Sequence, residues 1–413
     1  MIRAGAPLRM FLALVIGLAS GIAMSGLRLL GLDTLLAIAR PVGQLWLDAL
    51  TMTVVPLVFG LLVIGIATAA RTASASQVAL RALLWFAILL TLACLFAAVA
   101  ATALLAAWPV NVAVPMADPA IAAPQIAPPG AWFRNLIPNN PVKAAAETAM
   151  VPIVVFALLF GFAAARIERP LSEAITIFFR AIVQIMLVIV GWVLRIAPLG
   201  IAALAFVAGA RMGVASVGTL FHYVVIVATI CLAISVLCYP VAIFAGNLSF
   251  RRFARAVAPA QTVALSTQSS LASLPVMIEA APALGVNPVS AGVVLPLAVS
   301  LFRAASVAAN ITVAIYLAQL HGLPLTWSIL GTGILVAVPV SLAAVGLPAQ
   351  VSFFATIGPV CIAMGVPLDT LPLLLAVETI PDLFRTLGNV TADLAVTRLT
   401  ADCGDAANTA RII

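Results

Sequence analysis

Glu378-Thr379-Ile380-Pro381-Asp382-Leu383-Phe384-Arg385-Thr386-Leu387-Gly388-Asn389-Val390-Thr391-Ala392-Asp393 sets three carboxylates and one guanidinium among apolar and small residues. The polar positions 378, 382, 385, 389 and 393 are spaced 4, 3, 4 and 4. At about 100° per residue they fall within about 80° of one another, on one face of a helix. The rest of the chain says what surrounds that face. Of 413 residues, 64% are apolar and only 8% charged, and the mean hydropathy is +1.25. A soluble domain carries about 25% charged residues, so this chain cannot cover a water-facing surface and reads as an all-α polytopic membrane protein. Each Asp or Arg at mid-membrane costs about 2.5–3.5 kcal/mol, so the stripe must line a protein-walled, partly hydrated site. A structural ion-pair cluster is the alternative, but one arginine cannot neutralise three carboxylates.

The same composition excludes disorder and nucleic-acid binding, which need dense charge. The net charge of +7 comes from arginine, since Lys143 is the single lysine. In a membrane protein that excess belongs to cytoplasmic loops. Cys94, Cys231, Cys238, Cys361 and Cys403 contain no CxxC spacing and mostly sit in apolar runs. They read as small buried hydrophobes rather than a disulfide framework or metal site.

A bilayer core needs about 20 apolar residues per helix. Spans are expected over Met10–Leu27, about 50–70, about 82–108, about 149–165, within 172–210 and within 212–250. The first is expected to be an uncleaved helix rather than a signal peptide. Arg3 and Arg9, Arg71 and Arg81, Arg166 and Arg169, and Arg251, Arg252 and Arg255 all follow an even number of crossings. The 109–141 connection follows an odd number and has only Arg134. The positive-inside rule therefore puts the N-terminus and the even-numbered loops in the cytoplasm, and both termini are expected there.

After Arg255 the pattern changes. Ala256–Ile278 is free of charge until Glu279, yet its middle reads Ser266-Thr267-Gln268-Ser269-Ser270-Leu271-Ala272-Ser273-Leu274-Pro275. So many hydroxyls with a proline would leave freed backbone groups in lipid, which is tolerated only around protein or a water-filled cavity. A re-entrant helix–turn–helix fits better, although a kinked spanning helix remains the alternative. Ser341-Leu342-Ala343-Ala344-Val345-Gly346-Leu347-Pro348-Ala349-Gln350 repeats the theme, and a long helix follows each unit (about 287–321 and 370–400).

These residues together resemble the glutamate transporter family, the dicarboxylate/amino acid:cation symporters. Asp382-x-x-Arg385-Thr386-x-x-Asn389-Val390-x-x-Asp393 resembles its last-helix signature, and Gln268–Pro275 its serine-rich first hairpin tip. Met52-x-x-x-Pro56-Leu57-Val58-Phe59, Pro152–Phe156 with Gly161, Val294–Leu297 and Gly346-Leu347-Pro348 resemble its second, fourth and seventh helices and second tip. The resemblance implies eight transmembrane helices plus two re-entrant hairpins, built as inverted repeats, in an elevator-type homotrimer of a bacterial inner membrane. Scaffold helices 1–2 would occupy 1–75, helix 3 of the transport domain 76–108, and an extracellular loop with scaffold helices 4–5 109–212. The rest of the transport domain would be 213–400: helix 6, hairpin 1 (about 253–283), helix 7 (about 287–321), hairpin 2 (about 327–366) and helix 8 (about 370–400). A cytoplasmic tail, 401–413, would follow.

It also implies a site. Arg385 would bind the side-chain carboxylate of an acidic amino acid, where a guanidinium pairs bidentately. Asp382 would take the ammonium, with Asn389 and Ser270 near the α-carboxylate. Ser269, Ser306, Gly346, Leu347, Pro348 and Thr386 complete the expected substrate set. Family members for dicarboxylates lack the carboxylate at the position of Asp382, and those for neutral amino acids lack the arginine. Having both points to L-aspartate or L-glutamate.

The chain departs from the family at its cation-binding motif. Where the seventh helix carries Asn-Met-Asp-Gly-Thr, this sequence has Phe302-Arg303-Ala304-Ala305-Ser306. In the third helix a Tyr and a Thr-Ser pair become Phe86, Leu89 and Leu90, and the family's proton-carrying Glu is Asn310. Asn389 and Asp393 remain. Arg303, always protonated, is expected to replace bound cations in a site with Ser300, Glu378, Asn389 and Asp393, leaving sodium sites degraded. A proton or a sodium ion is the expected coupled ion, with no other cofactor. An uncoupled or proton-coupled exchanger of amino acids or dicarboxylates is the alternative. No GxxxxGK[ST] motif or HExxH is present, and the absence of a GxSxG elbow leaves an intramembrane serine protease as a remote reading.

Overall fold

The computed structural model describes residues 6–27, 31–75, 77–110, 137–343 and 349–400, and these are almost entirely helical. Among the described residues, six stretches are long and apolar enough to cross a membrane: 8–26, 32–73, 77–107, 169–195, 215–245 and 288–320. The chain is an integral membrane protein. Leu8, Ile16, Ile88, Phe178 and Phe221 are exposed on the outer faces of these stretches, as helices bathed in lipid require.

The first half forms an outer layer. α1 (Ala6–Gly26) packs along α8 (Ala197–Met212), and α2 (Leu32–Thr51) joins them. Gly17 and Gly21, one helical turn apart, make the closeness possible. A Cβ on Gly21 would lie 2.3 Å from the Phe206 carbonyl oxygen, and one on Gly17 2.5 Å from that of Ala202. Small residues at such spacing let helix backbones touch where lipid supplies no hydrophobic drive. α3 (Val54–Ala75) packs on α6 (Met150–Ala164) and α7 (Arg169–Arg195), with the short α5 (Pro141–Ala146) leading into α6.

Two expected elements are divided differently. The second span is preceded by α2, a full helix holding Arg40 and Asp48. The single span expected within 172–210 is two helices, α7 and α8, meeting at Ile196 just before Pro198. The ring of Pro198 fits the first turn of α8, where an N–H is not needed, and cannot continue α7.

The second half forms the core. α4 (Gln77–Ala107) and α9 (Ala215–Pro240) flank α13 (Ala304–Leu320), which is buried on nearly every face. α10 (Phe250–Thr267) and α11 (Ser270–Ala280) pack side by side as a helical hairpin, followed by α12 (Pro288–Leu301). α14 (Trp327–Ala343) and α15 (Ala349–Ala363) form a second packed pair, and the chain closes with α16 (Leu371–Val377) and α17 (Thr379–Thr400). The first reversal occurs at Gln268, which takes the left-handed conformation (φ 53°), and Ser269 caps α11 by accepting from the Ala272 N–H at 3.2 Å. Pro275, expected at the tip, falls inside α11. The expected second tip, Gly346-Leu347-Pro348, lies outside the described residues, as do most of the 109–141 connection and 401–413.

Neither expected long helix is continuous. The seventh breaks at Phe302 and Arg303, both in non-helical conformations. The eighth breaks at Glu378, three residues before Pro381. Pro381 offers no N–H and its ring opposes the carbonyl of Val377, so the turn at Glu378 opens there.

Candidate functional site

The break at Glu378 gathers the charges. Asp382 donates its backbone N–H to the Glu378 carbonyl at 2.9 Å, and the next turn brings Arg385 alongside both carboxylates. Arg385 Nη2 pairs with Glu378 Oε1, and Nη1 lies 3.6 Å from Asp382 Oδ1. All three are buried, which is tolerable only because each charge faces an opposite one. Tyr223 of α9 donates to Glu378 Oε2 at 2.6 Å, fixing the carboxylate from the second side. Arg385 Nε is buried without a partner among the described residues. The guanidinium is therefore held by Glu378 at the break and by Asp382 on its own helix, with Nε left as a spare donor.

The first hairpin tip reaches the same place. Gln268 Nε2 donates to the Thr379 carbonyl at 3.2 Å, beside the Glu378 break, and this sets Ser269 and half-buried Ser270 against the head of α17. Thr386 is buried next to Arg385 in sequence.

One turn further, Asn389 reaches across to a neighbouring helix. Its Oδ1 accepts from the N–H groups of Ala305 (2.9 Å) and Ser306 (3.2 Å), and its Nδ2 donates to Ser306 Oγ at 2.9 Å. The side chain caps the first turn of α13 from a neighbouring helix, satisfying donors that every helix start leaves open. Its amide is engaged with α13, and one Nδ2 hydrogen is spent on Ser306.

Arg303 stands at that break. Its Nη1 donates to Ser352 Oγ of α15 at 3.3 Å, and it lies within electrostatic range of Asp382, Asp393 and Arg385. Asp393 is fully buried, and neither carboxylate oxygen has a hydrogen-bond partner among the described residues. Asp393 and Arg303 act on each other electrostatically. Ser300 spends its hydroxyl on the Pro296 carbonyl at 2.7 Å within its own helix.

The departures in the third and seventh helices turn out to be neighbours. Phe86 of α4 and Phe302 stack with centroids 5.0 Å apart and planes 15° apart, both fully buried, with Leu90 buried on the same helix. Positions where the resemblance expects oxygen donors are filled by a pair of rings. Ala304 stands where the resemblance expects a carboxylate, and Asn389 Oδ1 accepts two backbone N–H groups of α13.

Three residues at the site lay outside the sequence expectations. Tyr223, one of only three tyrosines, lies in the charge-free stretch 212–250, where a buried phenol needs a partner, so it could have been found. Gln268 was visible only as part of a polar tip, and Ser352 carried no signal.

A buried carboxylate–guanidinium site inside an apolar helical bundle is the kind of site a membrane carrier needs. The family model described as the sodium:dicarboxylate symporter family matches residues 7–403, and the chain belongs to that family. It is 27% identical over 403 residues to "C4-dicarboxylate transport protein 1" of Pseudomonas aeruginosa (strain UCBPP-PA14), covering 94% of this chain and 86% of that protein. It is 27% identical over 362 residues to "Proton/glutamate-aspartate symporter" of Escherichia coli (strain K12), covering 85% and 82%. "Proton/sodium-glutamate symport protein" of Bacillus subtilis (strain 168) is 25% identical over 409 residues, covering 95% and 91%.

Proposed function

We propose that this protein is a secondary transporter of acidic amino acids, L-aspartate or L-glutamate, working by an elevator movement in a homotrimer. Arg385 carries the reading. It is buried beside Asp382, on the helix whose head the first hairpin tip touches at Thr379, so a substrate with a second carboxylate and an ammonium finds a partner for each. Arriving carboxylate would compete with Glu378 for the guanidinium, and Tyr223 would hold Glu378 as it lets go. Relatives named for glutamate, aspartate and C4-dicarboxylates support the acid class, and Asp382 favours the amino acids within it. The chain would cross the membrane eight times, with both termini in the cytoplasm of a bacterium and the membrane its inner one.

Binding should depend little on sodium. The Phe86–Phe302 stack fills the place of oxygen donors, and Arg303 supplies fixed positive charge within range of Asp382 and Asp393. Carboxylates 378, 382 and 393 against guanidiniums 303 and 385 leave one net negative charge, so one proton would complete the balance. Asp393, buried with both oxygens unpartnered, is better placed to carry it than Glu378, which has two partners. That favours proton-coupled symport or exchange.

Isothermal titration with L-aspartate, succinate and L-serine tests the substrate, in sodium and in choline media at fixed ionic strength. Aspartate should bind best, with affinity changing less than about tenfold, or 1.4 kcal/mol, between media. Tighter binding of succinate would overturn the amino-acid reading, and a hundredfold gain with sodium the tethered-cation reading.

A further inference from the structure

A second concentration of charge lies on α3 and α7, helices that contribute nothing to the site above. Arg71, Arg169 and Arg180 line one cavity of about 640 Å³ with Ser172, Glu173 and Thr176. On α7 the polar residues 169, 172, 173, 176 and 180 lie within about 100° of one another, so they form a single stripe. Loop arginines that only set membrane orientation need lie no further than the ends of spans. Arg180 lies further in. It follows Arg169 by three helical turns, about 16 Å along the axis at 1.5 Å per residue, inside the apolar stretch 169–195. A guanidinium at membrane depth costs about 2.5–3.5 kcal/mol unless something neutralises it.

The cavity is built for an anion. Glu173 is the single carboxylate in its lining and is itself paired with Arg169 at 3.0 Å. Arg180 makes no hydrogen bond or ion pair among the described residues. Arg71 Nη1 is steered by two buried, neutral hydroxyls, Ser172 Oγ at 3.3 Å and Thr176 Oγ1 at 3.4 Å. Planar guanidinium forks of this kind match phosphate oxygens. Further along the same α3–α6–α7 wall lies an apolar cleft of about 370 Å³, lined by Val55, Phe59, Ile153, Phe156, Phe179 and Ile182. Phe179 is the immediate neighbour of Arg180, so an apolar chain could leave the charged cavity along this wall.

We infer that this cavity binds a phosphate group, and that the adjoining cleft favours the headgroup of an anionic phospholipid over a soluble phosphate. The inference is independent of what the protein transports.

The test uses the full-length protein in nanodiscs of phosphatidylcholine with and without phosphatidylglycerol, and in detergent with inorganic phosphate. Native mass spectrometry reads retained lipid, and thermal unfolding reads stabilisation. The expected result is retained phosphatidylglycerol and a higher unfolding midpoint, both reduced at least fivefold in Arg71→Gln/Arg180→Gln and unaffected by Arg251→Gln/Arg255→Gln. Equal stabilisation by millimolar phosphate alone would keep the site but assign it to a soluble anion. Equal lipid retention in wild type and the double variant would overturn it. If the double variant fails to fold, Arg180→Gln against Arg180→Lys decides, because Arg180 is exposed and has no partner to orphan: only the lysine should retain lipid, and no difference between them would overturn the site.

Discussion

Arg385 has one opposite-charge partner on its own helix, Asp382, and another at the break before it, Glu378, and depends on them to be buried at all. A guanidinium removed from water is strongly destabilising unless paired. Glu378 and Asp382 supply that pairing in the absence of substrate. Arg385→Cys should therefore lower aspartate affinity at least a hundredfold, about 2.7 kcal/mol, by titration, while binding of neutral serine is kept or gained. Unchanged aspartate affinity would remove the arginine from the site. Arg303 acts through fixed charge near Asp382 and Asp393. Arg303→Met should weaken aspartate binding tenfold or more, and added sodium should not restore it while Ala304 offers no carboxylate. Rescue by sodium would mean that a cation site survives here.

Among elements, the ends of α13 show how helix joints are fixed. At its start, Asn389 takes two backbone N–H groups. Asn389→Ala would strand buried donors at about 1–3 kcal/mol, read as a lower midpoint in thermal unfolding. At its far end, His321 Nδ1 faces the Leu317 carbonyl at 2.8 Å and Nε2 faces Asp369 Oδ1 at 3.1 Å. Burial pulls this imidazole's pKa down, but the hydrogen bond and charge of Asp369, with the Leu317 carbonyl, outweigh it and raise the pKa above its ordinary value. A raised histidine stabilises fully below its unfolded pKa of about 6.5 and loses that contribution as pH climbs through the folded value. The unfolding midpoint should thus fall as pH rises from about 6.5 through the folded value, and His321→Ala should flatten the fall. An identical pH profile in the variant would place the titration elsewhere.

For the molecule as a whole, the proposed movement requires the core layer to slide against the outer one. α3 meets α14 at Gly65 and Ala343, where a Cβ on Gly65 would lie 3.7 Å from the Ala343 Cβ. That separation suits a disulfide. In a background lacking the native cysteines, Gly65→Cys with Ala343→Cys should cross-link on oxidation, stop labelled aspartate uptake into proteoliposomes, and recover with reductant. Full uptake after complete cross-linking would rule out sliding at this seam.

The sequence alone determined the membrane class, most of the long apolar stretches and the charged stripe of α17, because each rests on composition or helical period within one segment; the expected span 149–165 is the shorter helix α6. It also marked both departures, Phe86 and Phe302. That these two rings stack together, that α13 begins afresh after Arg303, and that Asn389 caps it were decided only in the folded molecule. No glycine or proline marks residues 302–303. The break exists because a side chain on a different helix satisfies the new helix start, and such a contact has no trace in local propensity. The turn at Glu378 is the opposite case: Pro381 writes it into the chain, and the fold merely uses it to set Glu378 against Arg385.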